Sequence, residues 1–230
     1  MSQSYEVEVK SLLGDSEKAE ALRQKMLQLD PSATLLALGR QLNHYFEGGS
    51  LSSLLEKARP HLSKAAAARL AELAGKATAF SVRTRLIDHG KGDEKVLLIA
   101  KATVGADSSE NGVARIEFEE TVPLSLEELD DLVMAAGFRY QAKWSRQREE
   151  YLCRGINVTL DKNAGYGWLA EFERVVGDPT EVVQAERDVR TLMERLGVIE
   201  LPQERLERMF AHYNAHWQDY YGTEKIFVVE

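Results

Sequence analysis

In Tyr5-Glu6-Val7-Glu8-Val9-Lys10 apolar and charged residues alternate, so an extended chain carries Glu6, Glu8 and Lys10 on one face. A single stripe of this kind is what any antiparallel sheet with one wet face displays. The pattern returns along the chain. Arg83 and Arg85 alternate with Val82, Thr84 and Leu86; Arg115, Glu117 and Glu119 with Ile116 and Phe118; Glu171 and Glu173 with Ala170 and Phe172. Arg146 and Arg148 form a further same-face pair, and Lys101 and Asp161 follow largely apolar runs. Together the stripes hold seven acids (Glu6, Glu8, Glu117, Glu119, Asp161, Glu171, Glu173) against seven bases (Lys10, Arg83, Arg85, Lys101, Arg115, Arg146, Arg148). Arg in i, i+2 pairs suits bidentate contact with phosphate oxygens. Clustered carboxylates suit oxygen-coordinated Mg²⁺ or Mn²⁺. The chemistry implied is neutralisation of a phosphate chain by fixed cations and metal together, as phosphoryl transfer requires.

The elements that must position these side chains are strands. Period-2 alternation predicts eight, at 5–10, 42–47, 80–88, 96–104, 113–122, 139–152, 156–161 and 168–175. Turn residues at 89–93, 105–112 and 163–167 imply antiparallel neighbours. Helical spacing appears at 16–29, 51–73, 126–136, 179–196 and 202–221, with Pro60 dividing the second segment. Ser125 opens a capping box, and Gly137 ends that helix. The predicted class is α+β: an eight-stranded antiparallel β-barrel, a tunnel with the stripes inward and amphipathic helices covering its apolar outside. Desolvating an ion costs on the order of several kcal/mol. A charged lumen therefore implies a polyanionic, metal-bound occupant.

Composition narrows the alternatives. The chain has 230 residues, 44% hydrophobic and 29% charged, as a folded globular protein does. It reads as a single domain, 1–230, with barrel strands and inserted helices in 1–177 and helices packing on the barrel in 178–230. A net charge of −8 opposes broad attraction to nucleic acid or to an anionic membrane, so neither is an expected partner. The lone Cys153, in a strand, reads as a buried inert thiol, and no apolar run is long enough to span a bilayer. With no signal-like segment at 1–10, the expected compartment is the cytoplasm.

The succession Glu6-x-Glu8-x-Lys10, Arg83-x-Arg85, Lys101, Arg115-x-Glu117-x-Glu119, Arg146-x-Arg148, Tyr151, Asp161, Gly165 and Gly167, then Glu171-x-Glu173 resembles the CYTH family, the triphosphate tunnel metalloenzymes, from Tyr5 to about Gly197. The resemblance implies an eight-stranded tunnel and metal-dependent activity on triphosphates, the family including thiamine triphosphatases, inorganic triphosphatases and class IV adenylyl cyclases. It implies that Glu6, Glu8, Glu171 and Glu173 are metal ligands, with Glu117 or Glu119 a further one and Asp161 counted among the metal-side acids. By the same resemblance Lys10, Arg83, Arg85, Lys101, Arg115, Arg146 and Arg148 grip the phosphate chain. Two stretches depart from the family. After Tyr45-Phe46 an Asp-Thr pair is replaced by Glu47-Gly48-Gly49 and a helical insertion to about Gly75, which covers one tunnel mouth or packs on the apolar outside. Near the other end Tyr213-Asn214-Ala215-His216-Trp217 replaces a small Ser-Tyr signature.

The function expected is hydrolysis of tripolyphosphate, thiamine triphosphate or a nucleoside triphosphate with Mg²⁺ or Mn²⁺, water being activated by metal or assisted by Lys10 as the catalytic residue. The rival is a cyclase, in which a ribose hydroxyl of ATP attacks the α-phosphorus. A non-catalytic polyphosphate or nucleotide binder is disfavoured, because seven acids weaken an anion groove. His212 and His216, four apart, flank a helix face of Phe210, Tyr213, Trp217 and Tyr220 and read as packing, not a metal pair. His44, His61 and His89 show no partner in the sequence, and Lys91, Asp93, Glu94 and Lys95 read as a solvated hairpin tip.

Overall fold

The computed structural model describes residues 5–88, 92–104 and 115–228. Its strands are β1 (Tyr5–Gly14), β2 (Thr34–Gly48), β3 (Ala77–Asp88), β4 (Glu94–Val104), β5 (Arg115–Thr121), β6 (Phe138–Cys153), β7 (Ile156–Asn163) and β8 (Gly167–Val176). The helices are α1 (Ser16–Leu29), α2 (Leu51–Ala58), α3 (Lys64–Lys76), α4 (Leu126–Ala135), α5 (Val182–Leu196) and α6 (Gln203–Tyr220). All eight predicted strands are present, in one antiparallel sheet of order β1-β8-β7-β6-β2-β3-β4-β5. Among the described residues the ladder ends at β1 and β5, so hydrogen bonds do not close it. Alternation fixes the faces and number of strands but carries no information on closure. The predicted loop 105–112, and His89 and Lys91 of the hairpin tip, lie outside the described residues; Asp93, Glu94 and Lys95 are exposed, as a solvated tip requires.

The chain divides into two compact units, Met1–Arg40 with Ser145–Glu230, and Gln41–Trp144. In the first, Val7 and Val9 of β1, Val158 and Leu160 of β7, and Ala170 and Phe172 of β8 pack against Ala19, Leu22 and Met26 of α1 and Val189, Leu192 and Leu196 of α5. The helical residues recur every three or four positions, which makes a single buried stripe on each helix. Asp15 caps α1, its carboxylate accepting from Lys18 N at 2.8 Å, and Gly197, at φ 67°, ends α5. Truncating Phe172 would remove the largest apolar side chain of this core, at a cost of about 3–5 kcal/mol. Cys153 is fully buried here, and burial pushes its thiol up, as an inert packing residue requires. β1 and β8 meet at two glycines: Gly167, at φ 75°, lies so close to Gly14 that a Cβ there would sit 2.2 Å from the Gly14 carbonyl oxygen.

α6 buries Met209 and Tyr213, while Phe210, Trp217 and Tyr220 are only half-buried. The chain after it returns over the β7–β8 turn, where Gly165 N donates to Lys225 O and Phe227 N donates to Gly165 O. Gly165 lies beneath the Tyr213 ring, a fit that any side chain would spoil.

In the second unit Val82, Leu98, Ala100 and Phe118 of β3–β5 pack against Leu54 of α2, Leu70 and Leu73 of α3, and Leu129 and Val133 of α4. The insertion after β2 therefore covers the apolar face of the sheet. Ser50, Ser63 and Ser125 cap the three helices, Ser125 in the full capping box with Glu128. Pro60 lies in the short 3-10 turn Arg59–His61 between α2 and α3, where its missing N–H costs nothing.

Candidate functional site

The core claims one face of β1, β3, β4, β5, β7 and β8 and leaves the charged stripes on the other. In the first unit the register places Lys10 opposite Glu171, Glu171 opposite Thr159, and Asp161 opposite Arg148. Lys10 Nζ pairs with Glu8 and with Glu171 Oε1 at 3.5 Å. Arg148 holds Asp161 with two parallel bonds, Nε to Oδ1 at 2.7 Å and Nη2 to Oδ2 at 2.5 Å, and reaches Glu171 Oε2 at 2.7 Å. Arg146 Nη1 donates to Asp161 Oδ2 at 2.8 Å. The result is a continuous chain, Lys10–Glu171–Arg148–Asp161–Arg146. The Asp161 side chain is fully enclosed within it. Burial opposes ionisation of Glu171, yet Lys10, Arg148 and Arg146 outweigh it and hold the carboxyl at about 2. Asp161 and Glu171 likewise raise Arg148 against its own burial.

In the second unit Arg83 and Arg85 each bond a neutral group. Arg83 Nη1 donates to the Tyr45 hydroxyl at 3.1 Å and Arg85 Nε to Asn43 Oδ1 at 2.6 Å. The acids stand further off: Glu117 lies 3.3 Å from both Arg83 and Lys101, and Glu119 3.7 Å from Arg85. Arg83 Nε is buried with no acceptor among the described residues, an N–H that a ligand oxygen would satisfy. The floor between these charges is apolar, since the fully buried Ile99 is the register partner of both Arg83 and Glu119. Arg115 stands on β5 opposite Thr103, and its side chain lies outside the described residues.

The stripes, balanced over the whole sequence, are sorted by unit. The first holds five acids (Glu6, Glu8, Asp161, Glu171, Glu173) and three bases; the second holds four bases (Arg83, Arg85, Lys101, Arg115) and two acids.

A family model for the CYTH domain matches residues 4–205. The chain belongs to the CYTH domain family. Solved structures share the fold of this CYTH domain. One protein from Pyrococcus horikoshii OT3 aligns with a TM-score of 0.62 at 19% identity, covering 90% of this chain and 99% of its own. A second from that organism gives 0.57 at 19%, covering 86% and 92%. A candidate adenylate cyclase from Vibrio parahaemolyticus gives 0.59 at 14%, covering 90% and 98%. No curated protein matches the sequence. CYTH domains are generally enzymes, act on triphosphates and depend on metal.

Whether these residues fit a divalent cation is answered by the register. Glu8 and Glu173 are direct partners across β1 and β8. Like charges so opposed destabilise a sheet unless a cation lies between them. The next residue in the row, Asn157, opposes Glu173 and has a buried side-chain oxygen without a donor among the described residues. Glu6, one step along β1, is exposed. Two or three carboxylates beside a neutral amide oxygen make a set suited to Mg²⁺ or Mn²⁺, so the residues fit. They do not yet converge: among the described residues no three His, Cys, Asp or Glu side chains form a metal-sized group. The carboxylates turn instead to the nearest cation, Glu8 to Lys10 and Glu171 to Lys10 and Arg148. Asp161, Glu117 and Glu119 likewise each have a cation beside them.

His212 and His216 stack at 4.5 Å, and His216 Nδ1 donates to the His212 carbonyl at 2.8 Å, a packing arrangement. His44 does have a partner: its Nδ1 donates to Asp130 at 2.6 Å. Asn43, Tyr45 and Asp130 are the residues sequence reasoning missed. Asn43 and Tyr45 alternate about His44 as Arg83 and Arg85 do about Thr84, the one signal that could have found them.

Proposed function

We propose that this CYTH domain is a divalent-metal-dependent triphosphatase acting on tripolyphosphate or a similarly small triphosphate. The observation that carries the reading is the buried Arg83 Nε–H on the Arg83-x-Arg85 stripe, which has no acceptor among the described residues and is suited to a phosphate oxygen. Glu6, Glu8 and Glu173 are the side chains for Mg²⁺ or Mn²⁺, with Glu171 adjacent. When bound, the metal supplies positive charge against the phosphates and acidifies water. Arg83, Arg85 and Lys101 offer fixed donors to phosphate oxygens, and the sequence stripe assigns Arg115 the same role. Arg146 and Arg148 offer the same from the first unit, and Asp161 and Glu171 fix their guanidiniums. Lys10, between Glu8 and Glu171, has an ammonium donor with which to orient the attacking water. Glu117 and Glu119 are counter-ions that an entering phosphate displaces, or further ligands to the metal. The free, buried Cys153 thiol suits a reducing, cytoplasmic setting.

Hydrolysis is favoured over cyclisation because it asks only that the phosphate chain be held and water admitted, whereas a cyclase must also fix base and ribose in line with the α-phosphorus. The test incubates pure protein with Mg²⁺ or Mn²⁺ and tripolyphosphate, thiamine triphosphate or ATP, and assays phosphate, pyrophosphate and cyclic nucleotide separately. Orthophosphate from tripolyphosphate, abolished by chelator, is the expected result. Cyclic AMP and pyrophosphate from ATP, with tripolyphosphate untouched, would replace this reading with the cyclase; binding without turnover would replace it with a binding module.

A further inference from the structure

On the face of the second unit away from the arginines, Asp130 of α4 is buried at 3% exposure and accepts three hydrogen bonds. Thr84 Oγ1 of β3 donates to Oδ1 at 2.6 Å, while His44 Nδ1 of β2 and the Tyr140 hydroxyl of β6 donate to Oδ2 at 2.6 and 2.7 Å. The Tyr140 ring stands edge-on to His44, their centroids 6.0 Å apart. Burial of the carboxyl is outweighed by the His44 and Thr84 bonds, which keep it ionised. One acid thus ties together three strands and the helix that bears it.

The residues it grips are placed with respect to the arginines in a particular way. Thr84 is the residue between Arg83 and Arg85, and His44 is the residue between Asn43 and Tyr45. Side chains alternate across a strand, so the front contacts Arg83–Tyr45 and Arg85–Asn43 bracket the rear contact of Thr84 and His44 with Asp130. β2 and β3 are hydrogen-bonded neighbours. A slip of one strand by two residues keeps every side chain on its own face but breaks both front pairs and the rear clasp together. The front pairs alone are weak guardians of register, because Tyr45 and Asn43 are neutral acceptors. The rear clasp is a charge-assisted three-donor site in which Asp130, His44 and Thr84 are buried, and α4, which carries it, is fixed by its capping box and by Leu129 and Val133 in the core.

We infer that Asp130 is a positioning residue, which fixes β2 against β3 and thereby sets where Arg83 and Arg85 present their guanidiniums. It touches no ligand and acts through the strand. The inference rests on the reading of Arg83 and Arg85 as phosphate ligands for its functional consequence, but not for its geometry.

The experiment uses Asp130→Asn, the milder Thr84→Val, and Leu70→Ala in α3 as a control that loosens the same core without touching the clasp. The first readout needs no substrate: exchange of the Arg85 Nε–H, protected by Asn43, followed by NMR well below the unfolding temperature. Asp130→Asn or Thr84→Val is expected to speed it about tenfold, within the coupling range of contacting residues, and Leu70→Ala to leave it within about twofold. The second readout is tripolyphosphate affinity at fixed Mg²⁺. Asp130→Asn is expected to weaken it about tenfold in the wild-type background and less than about twofold once Arg83 and Arg85 are both Ala, because the clasp then has nothing to position. Unchanged exchange in both clasp variants, or an exchange rate that Leu70→Ala raises equally, overturns the inference. So does a full tenfold loss that persists in the double-alanine background. Wild-type protein that binds no triphosphate while the clasp variants still free the Arg85 N–H overturns the triphosphatase reading and leaves the positioning role standing.

Discussion

Asp161 and Glu117 are both carboxylates set between two cations, but they belong to different kinds of site. Asp161 is shut between Arg146 and Arg148 at 2.5 to 2.8 Å with no exposed side-chain surface. Glu117 lies 3.3 Å from both Arg83 and Lys101 with 36% of its side chain exposed. A buried, bidentate pair is part of the framework, since removing one partner strands a charge in low dielectric. An open pair is a loose counter-ion. In the first unit the guanidiniums are fixed by buried acids; in the second Arg83 and Arg85 also bond Tyr45 and Asn43, and their acid partners are looser and more exposed.

The comparison breaks most readily at its acids. Asp161→Ala should cost about 3–5 kcal/mol in denaturant unfolding, because Arg146 and Arg148 lose a buried counter-charge. Glu117→Ala should cost no more than about 1 kcal/mol by the same measurement. Similar losses for the two would erase the distinction between framework and counter-ion. Next in size are the cations: Arg83→Ala and Arg85→Ala should each weaken tripolyphosphate binding by about 1.5–3 kcal/mol without unfolding the protein, as read by calorimetry at fixed Mg²⁺. Full affinity in both variants would mean that this stripe serves no anion.

Acid pH probes the first unit. The Glu171 carboxyl falls from an ordinary 4.5 to about 2 on folding. Its contribution to stability is thus complete above about 4.5 and is lost as pH drops toward 2, the unfolded state binding the proton more readily. Glu171→Gln should flatten that limb of a stability–pH curve, and an unaltered limb would assign it to other groups. The gentlest change is at the metal: Glu8→Gln should raise the Mg²⁺ concentration for half-maximal turnover severalfold while leaving saturated activity largely intact. Loss of stability with no change in metal dependence would show Glu8 to be only a partner for Lys10.

How much of this was legible beforehand depended on what alternation can encode. The faces were legible: Val7, Val82 and Phe172 pack inward on the helices, while Glu8, Arg83 and Glu171 stand opposite them, as a two-residue period demands. Helix ends were legible where side chains make them, at Ser125 and at Pro60. Cross-strand partnership was not. That Arg85 meets Asn43 while Arg148 meets Asp161 depends on register between strands distant in sequence, which a one-dimensional pattern does not specify. The same gap hid Asp130, whose helical spacing reads as an ordinary surface acid and whose burial exists only because His44, Thr84 and Tyr140 come together around it. Sorting of the charges by unit was invisible for the same reason.

The close approach of Gly14 and Gly167 has a consequence for anyone surveying this chain by random substitution. Gly167 has no functional group, yet every replacement adds a Cβ where only 2.2 Å separates it from a backbone oxygen and asks an L-residue to hold a positive φ. The strain falls at the start of the strand that carries Glu171 and Glu173. In a library scored by lost turnover alone, this glycine would rank beside the charged residues and pass for a participant in the chemistry; scored for abundance as well, it would separate from them at once.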